Sequence, residues 1–206
     1  MSERPAGIPF VVSGPSGCGK TSILRRVLEE DENVRFSVSH TTRPSREGER
    51  DGRDYWFVDE ALFRERVAAG EFLEHAEYQG HLYGTSQTAV EDLTRRGFDV
   101  ILEVEIMGAR QLRQRLGDAV FIGVLPPSAE VLAKRLEGRG SDGPAVIEKR
   151  LERAAEETRE LREEYDYLVV NEDLERAVRQ VLNVIGASRV RRERVVKALR
   201  DRLDCG

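Results

Sequence analysis

Residues 8–30 read IPFVVSGPSGCGKTSILRRVLEE. The opening IPFVVSG (8–14) is a short apolar run ending in small residues, as in a buried strand. In the closing KTSILRRVLEE (20–30), Ile23, Leu24, Val27 and Leu28 fall at helical spacing with charges opposite. Between them, GPSGCGKT (14–21) fits the pattern G-x-x-x-x-G-K-[ST]. Glycines at such a strand-to-helix turn let backbone N–H groups converge on one anion at a helix N-terminus. Gly14, Pro15, Ser16, Gly17, Cys18, Gly19, Lys20 and Thr21 are accordingly read as a triphosphate site. Lys20 reaches the outer phosphates, and the Thr21 hydroxyl sits on a Mg²⁺ that arrives with ATP. Cys18 is read as a small filler pointing away from the phosphates rather than as a redox switch. The chain has no N-K-x-D element of the kind GTPases use to read their base, which leaves ATP as the triphosphate and the acceptor open.

Outward from this loop the chain alternates strands and helices. FDVILEVEI (98–106), AVFIGVLPP (119–127) and DYLVVN (166–171) are three further buried-strand candidates. Helices are expected at 86–96, near 108–116, at 129–140, from SDGP to about 164, and as one long element from about Asp173. That alternation implies an α/β fold with a largely parallel sheet. Residues 37–84 break the rhythm. DEALFRERVAAG (59–70) has a helix start at Asp59 and a stop at Gly70, and EFLEHAEYQGHLYG (71–84) reads as a hairpin around QG. The segment looks like an inserted antiparallel subdomain.

Composition narrows the function. A chain of 206 residues can bury a full core as one domain. Hydrophobic content of 39% and charged content of 34% fit a soluble globular protein. The formal net charge of -5 argues against gripping a phosphate polymer, which needs a basic face. No apolar run approaches the roughly 18 to 20 residues that span a bilayer. The N-terminus lacks signal-peptide character, and Cys18 and Cys205 build no disulfide framework. The expectation is a cytoplasmic protein with small-molecule partners, no nucleic acid and no membrane, and an oligomeric state left open. RVRRERVVKALRDRL (189–203), with seven basic residues, is read as a solvated amphipathic helix on the core or a partner subunit.

Within the insert, SVSHTTRPSREGERDGRDYWFV (37–58) carries four arginines, at 43, 46, 50 and 53, in eleven residues. A solvated loop, a nucleic-acid patch and a pocket for one small anion are the three readings. Two guanidinium forks three residues apart can converge on one phosphate, with Tyr55 and Tyr83 as uncharged donors and Glu49 holding the arginines.

This stretch resembles the GMP-binding signature of guanylate kinases. GPSGCGKT, EFLEHAEYQGHLYGTS, RLEGRG and VVNEDL follow in that family's order, so the resemblance spans nearly the whole chain. It implies a P-loop NTPase-type three-layer α/β fold with a central five-stranded parallel sheet. Core residues 1–37, 86–126 and 158–206 would carry a GMP-binding subdomain (38–85) and a helical lid (127–157). It also implies transfer of the γ-phosphoryl group of ATP to GMP. Arg43, Arg46, Tyr55 and Tyr83 match the family's GMP-phosphate ligands. Ser39, Glu74 and Thr85 match the residues around the base, with Glu49 in support. A carboxylate such as Glu74 can accept from guanine N1–H and the 2-amino group together, a donor pair adenine lacks. Arg135, Arg139 and Arg150 match ATP-side arginines on and beside the lid, and Asn171 matches a position near the adenine. Catalysis would rest on Lys20, Arg43, Arg139 and Arg150. Glu103 and Glu105 stand where many members have two aspartates, which lengthens each GMP-side carboxylate by one methylene.

Two other readings compete. One is a guanylate-kinase-like scaffold module that holds phosphorylated peptides, although such modules tend to lose phosphate-loop residues that are intact here. The other is a kinase of the same fold with a different acceptor.

Overall fold

The computed structural model describes residues 5–78, 80–138 and 143–203. β1 (Pro9–Ser13) leads through the glycine loop into α1 (Lys20–Glu30), and β2 (Val34–Phe36) follows. The insert contributes β3 (His40–Thr41), β4 (Trp56–Phe57), α2 (Glu60–Ala68), β5 (Phe72–Tyr78) and β6 (His81–Ser86). The chain returns with α3 (Gln87–Arg95), β7 (Asp99–Glu103), α4 (Ile106–Arg115) and β8 (Val120–Leu125). It ends with α5 (Ala129–Glu137), α6 (Pro144–Glu164), β9 (Tyr167–Val170), α7 (Leu174–Arg189) and α8 (Arg192–Leu203).

Five strands form one sheet in the order β2-β7-β1-β8-β9, every pairing parallel. Both faces are covered. Phe10, Val12, Ile101, Ile122 and Val124 pack on α1 and α7 through Ile23, Val27, Val181 and Ile185. Val11, Val100, Leu102 and Phe121 pack on α3 and α4 through Val90, Ala109 and Leu112. Burial on both sides is why these strands read as unbroken apolar runs. Each such large side chain contributes roughly 1.5–3 kcal/mol by leaving water. After β1 the chain crosses to the β2 edge, and later β8 adds on the opposite side. The glycine loop thus leaves the sheet where the strand order reverses, the place open α/β sheets offer to ligands.

The second sheet runs β4-β3-β6-β5. Its β5/β6 hairpin and β3/β6 ladder are antiparallel, and the two-residue β4 adds to β3 in parallel. The local signals of the insert work as expected. The Asp59 side chain accepts from Leu62 N at 2.7 Å to cap α2, and Gly70 leaves it at φ 70.

Two expectations need correction. The sheet has the five strands that the family resemblance implies, and the expectation drawn from periodicity alone, four buried strands, misses the three-residue β2, which is too short to show a period. The helix expected from Asp173 divides in two at Val190. There the Ser188 hydroxyl donates back to Val184 O at 2.7 Å, and tightened bonds from Val190 and Arg191 close the turn. Arg189 is held by Asp31 at 2.8 Å and Asp99 at 2.7 Å. α8 then folds back, and Arg194 reaches Ala6 O and Asp118.

Candidate functional site

The glycine loop is shaped by what a side chain would strike. A Cβ at Gly14 would lie 2.3 Å from Val124 O, and Gly17 and Gly19 take φ values of 87 and 97. α1 begins at Lys20 with no side-chain cap and no acidic residue in its first turn. Its orphan N–H groups and positive dipole end are left for an anion. Lys20 Nζ donates to Gly14 O at 2.5 Å, inside the loop. Burial would lower its pKa, but Cys18, Glu103, Glu105 and Glu157 oppose that and hold it above the ordinary value. The lysine stays charged. Cys18 is fully buried in the core, and burial pushes its thiol pKa up, so it is a packed filler.

Two of the residues expected on the ATP side support the loop from behind. Asn171 is buried and its Nδ2 donates to Cys18 O at 2.8 Å. Arg135 donates to Cys18 O at 3.3 Å and to Asn171 O at 2.9 Å. Leu132 and Leu136 of α5 close over Gly17.

Across the cleft stands a wall of side chains. In β5 the register shifts between Phe72 and Glu74, a bulge that sends these two residues to opposite faces. Phe72 stacks on Phe63 under α2, with ring centroids 4.8 Å apart, while Glu74 turns into the cleft. Glu74 is 4% exposed, and the Thr85 hydroxyl donates to its Oε1 at 2.7 Å. Burial, only partly offset by Thr85, pushes its pKa up to about 7.

Arg43 is buried at 9% exposure, and its guanidinium donates to Glu49 Oε1 at 2.8 Å and Pro44 O at 2.8 Å. The other Glu49 oxygen accepts from the backbone N–H of Arg46 at 2.7 Å, so one carboxylate holds the Arg43 guanidinium and the main chain at Arg46. Tyr55 and Tyr83 meet edge to face at 6.0 Å, with Arg43 over the Tyr55 ring at 5.4 Å. Burial first, then nearby Glu103, pushes the Tyr55 pKa up to about 12 and keeps its hydroxyl protonated. Ser39 lines the same cleft. The paired threonines have structural duties: Thr41 Oγ1 accepts from Arg43 N and Thr42 Oγ1 from Leu82 N.

The third side comes from β7 and α6. Glu103 ends β7, and Glu105 takes the N-cap position of α4 without a capping bond. Burial raises both carboxyl pKa values, with Lys20 opposing. Arg150 of α6 lines the cleft. Arg139 lies outside the described residues. Together Ser16, Gly17, Gly19, Lys20, Thr21, Ser39, Arg43, Arg46, Glu49, Tyr55, Glu74, Tyr83, Glu103, Glu105 and Arg150 border one cleft of about 700 Å³.

Sequence reading passed over several residues here. Tyr78 lies on the cleft face of β5, two and four residues beyond Ala76 and Glu74, a signal that alternation alone could have supplied. Arg153 of α6 stands over the Tyr78 ring at 4.5 Å and pairs with Glu157 at 2.8 Å. This contact joins α6 to the insert. Glu157 follows Arg150 by two helical turns and contributes negative charge at Lys20.

Comparison with known proteins gives a consistent picture. The family model described as guanylate kinase matches residues 6–188. A guanylate kinase of Alkalilimnicola ehrlichii is 48% identical, covering 96% of this chain and 98% of its own. One of Neisseria gonorrhoeae is 45% identical over 99% of both chains. Among solved structures, guanylate kinase from Anaplasma phagocytophilum superposes with a TM-score of 0.77 at 34% identity, covering 93% of this chain and 90% of the other.

Proposed function

Since the chain belongs to the guanylate kinase family, a nucleoside monophosphate kinase family, we propose that its cleft transfers the γ-phosphoryl group of ATP to GMP, giving ADP and GDP. The observation that carries this reading is the meeting, in one cleft, of two unlike anion sites. One is the uncapped start of α1 with Lys20; the other is the pair Arg43 and Arg46 held by Glu49.

In this reading ATP lies along residues 14–21, with Arg135 and Asn171 fixing the back of the loop and Arg139 and Arg150 completing its lid side. The GMP phosphate takes Arg43, Arg46, Tyr55 and Tyr83. Its guanine edge takes Glu74, Thr85 and Ser39, and Glu103 and Glu105 complete that wall. Residues 38–85 then act as the acceptor subdomain and 127–157 as the lid. An acceptor-phosphate oxygen bonds to the γ-phosphorus while the bond to the β,γ-bridging oxygen breaks, so ADP leaves and no protein nucleophile is needed. The protein's part is alignment and the neutralisation of charge spreading over the transferred group. Lys20 and the arginines do this, and closure of the lid over them would exclude water.

Mg²⁺ fits the donor set. The Thr21 hydroxyl is exposed to the cleft, and no group of three His, Cys, Asp or Glu side chains that could cage a metal occurs among the described residues. An ion held by one hydroxyl and by the phosphates of ATP matches the way Mg²⁺ binds. When bound, it would neutralise phosphate charge. A cytoplasmic site of action, with ATP and GMP as partners, completes the reading; among the described residues no helix is long and apolar enough to cross a membrane.

A coupled ADP-release assay with GMP, dGMP and AMP tests the proposal. GMP should turn over, and AMP should be poorer by roughly 10²-fold or more, because it leaves a buried acceptor unpaired. Absence of GMP-dependent ADP release would overturn it.

A further inference from the structure

α4 carries a buried glycine, Gly108, in its first turn, and nothing in the helix backbone calls for one. Its φ is not in the left-handed region, and alanine is the better helix former at an ordinary helical position. The space a side chain would fill is taken by Glu74. A Cβ at Gly108 would lie 2.4 Å from Glu74 Oε2, 3.0 Å from its Cδ and 3.5 Å from its Cγ. The three atoms nearest to that position outside the helix's own backbone all belong to Glu74.

We propose that Gly108 is a positioning residue for acceptor selection, its missing side chain forming the seat that holds the Glu74 carboxylate against Thr85 with a free edge toward the base. The inference rests on the reading of Glu74 as the guanine acceptor. Three elements converge on that carboxylate. The β5 bulge aims it inward, Thr85 of β6 fixes Oε1 at 2.7 Å, and the first turn of α4 receives Oε2. A methyl group at 108 overlaps both carboxylate oxygen and carbon, so the side chain has to move. The open direction is the cleft that Glu74 already lines, the volume an acceptor base would occupy. The cost of a substitution here falls on the acceptor and spares the fold.

The expected behaviour separates this role from plain helix packing. Gly108→Ala should raise the GMP KM about tenfold or more, with kcat at saturating GMP retained and the ATP KM within about twofold. Its melting temperature should hold or rise, since alanine favours the helix. Burial keeps the Glu74 pKa near 7. A carboxylate pushed toward solvent should move the bend in the pH profile of the GMP KM to lower pH. In a Glu74→Asp background the carboxylate is one methylene shorter, so Gly108→Ala should then change the GMP KM by less than about threefold, the non-additivity expected of touching groups.

An unchanged GMP KM in Gly108→Ala, or an equal rise in both backgrounds, would overturn the proposal. Glu74→Gln distinguishes its failure from that of the underlying reading. If Glu74→Gln is harmful and Gly108→Ala is silent, only the seat is wrong. If Glu74→Gln also leaves the GMP KM unchanged, the guanine role of Glu74 goes with it.

Discussion

The two anion sites of this cleft are built by opposite means. The phosphate loop is mostly backbone: two left-handed glycines, an uncapped helix start and one lysine, braced from behind by Asn171 and Arg135. The insert wall is nearly all side chains, drawn from β5, β6 and the segments flanking β3 and β4, and prepaired with one another as Arg43 with Glu49 and Glu74 with Thr85. A backbone site is rigid because its peptides are also the fold. A side-chain site must pay for burying charge without its ligand, and its members are stabilised by one another, as Arg43 is by Glu49 and Glu74 by Thr85. Substitutions should therefore cost catalysis alone on the first side, and should shift stability as well, in one direction or the other, on the second.

The largest effect is expected at Lys20. Lys20→Met removes the one mobile charge of the backbone site and should lower kcat by roughly 10²–10³-fold, the scale for one preorganised charge-stabilising donor. GMP affinity by calorimetry should stay near the parent value. A loss of GMP binding equal to the loss of turnover would mean that the two sites are not separable in this way.

Arg43→Lys comes next and probes the side-chain wall. Lysine keeps the charge but not the planar fork that spans Glu49 Oε1 and Pro44 O. The GMP KM should rise about 10- to 100-fold, and the melting temperature should fall by a few degrees as a partly buried charge pair is left half satisfied. A variant with poor GMP binding but unaltered stability would break the comparison, because it would make the wall as independent of its contents as the loop is.

The same contrast explains what could be read from the chain. The loop declares itself by spacing, since glycines and a lysine at fixed intervals between a strand and a helix have few other uses. Asp59 and Gly70 mark helix ends for the same local reason. The wall depends on events without a local signature. The bulge that turns Phe72 and Glu74 apart, the two-residue ladders of β3 and β4, and the reach of Arg153 onto Tyr78 arise only when distant segments pack. Residue types and the family resemblance bring Arg43, Arg46, Glu49, Glu74 and Thr85 forward as candidates; their mutual pairing appears only in three dimensions. The break at Val190 is of the same kind, depending on Asp31 and Asp99, which lie far away in sequence.

Glu74→Gln sharpens the comparison by separating stability from binding. The folded-state pKa of Glu74 is raised to about 7 from 4.5 by burial. A raised carboxyl pKa contributes stability below its unfolded value and loses it as pH rises through about 7. At pH 8 the ionised carboxylate then costs on the order of 3 kcal/mol. Glutamine removes that cost, so the variant should melt several degrees higher than the parent at pH 8 and no higher at pH 4. Its GMP KM should rise while ATP binding holds. A fall in melting temperature at pH 8 would show that Thr85 and the strand, not the acceptor, account for this carboxylate.

The smallest effect is expected on the far face of the insert, at His40. The ring is buried beside Trp56 and Phe72, and Arg66 lies 2.8 Å from Nε2. A guanidinium can only donate, so Nε2 accepts and the proton sits on Nδ1, which has no partner among the described residues. Burial first and then Arg66 lower the His40 pKa, against weaker opposition from Glu71 and Asp51. The sign follows: a histidine depressed below 6.5 contributes stability above that pH and loses it as pH falls, when a second cation would face Arg66. Glu74 titrates in the opposite sense over an overlapping range, so the measurement belongs in the Glu74→Gln background. There, His40→Gln keeps an acceptor for Arg66 without a titrating ring and should flatten the decline in melting temperature between pH 7.5 and 5. The difference should be a few degrees at most, the worth of about one hydrogen bond of roughly 1 kcal/mol. Parallel pH curves for the two variants would mean that His40 takes up its proton equally in the folded and the unfolded chain, leaving the pH dependence of the insert to the paired groups on its cleft face.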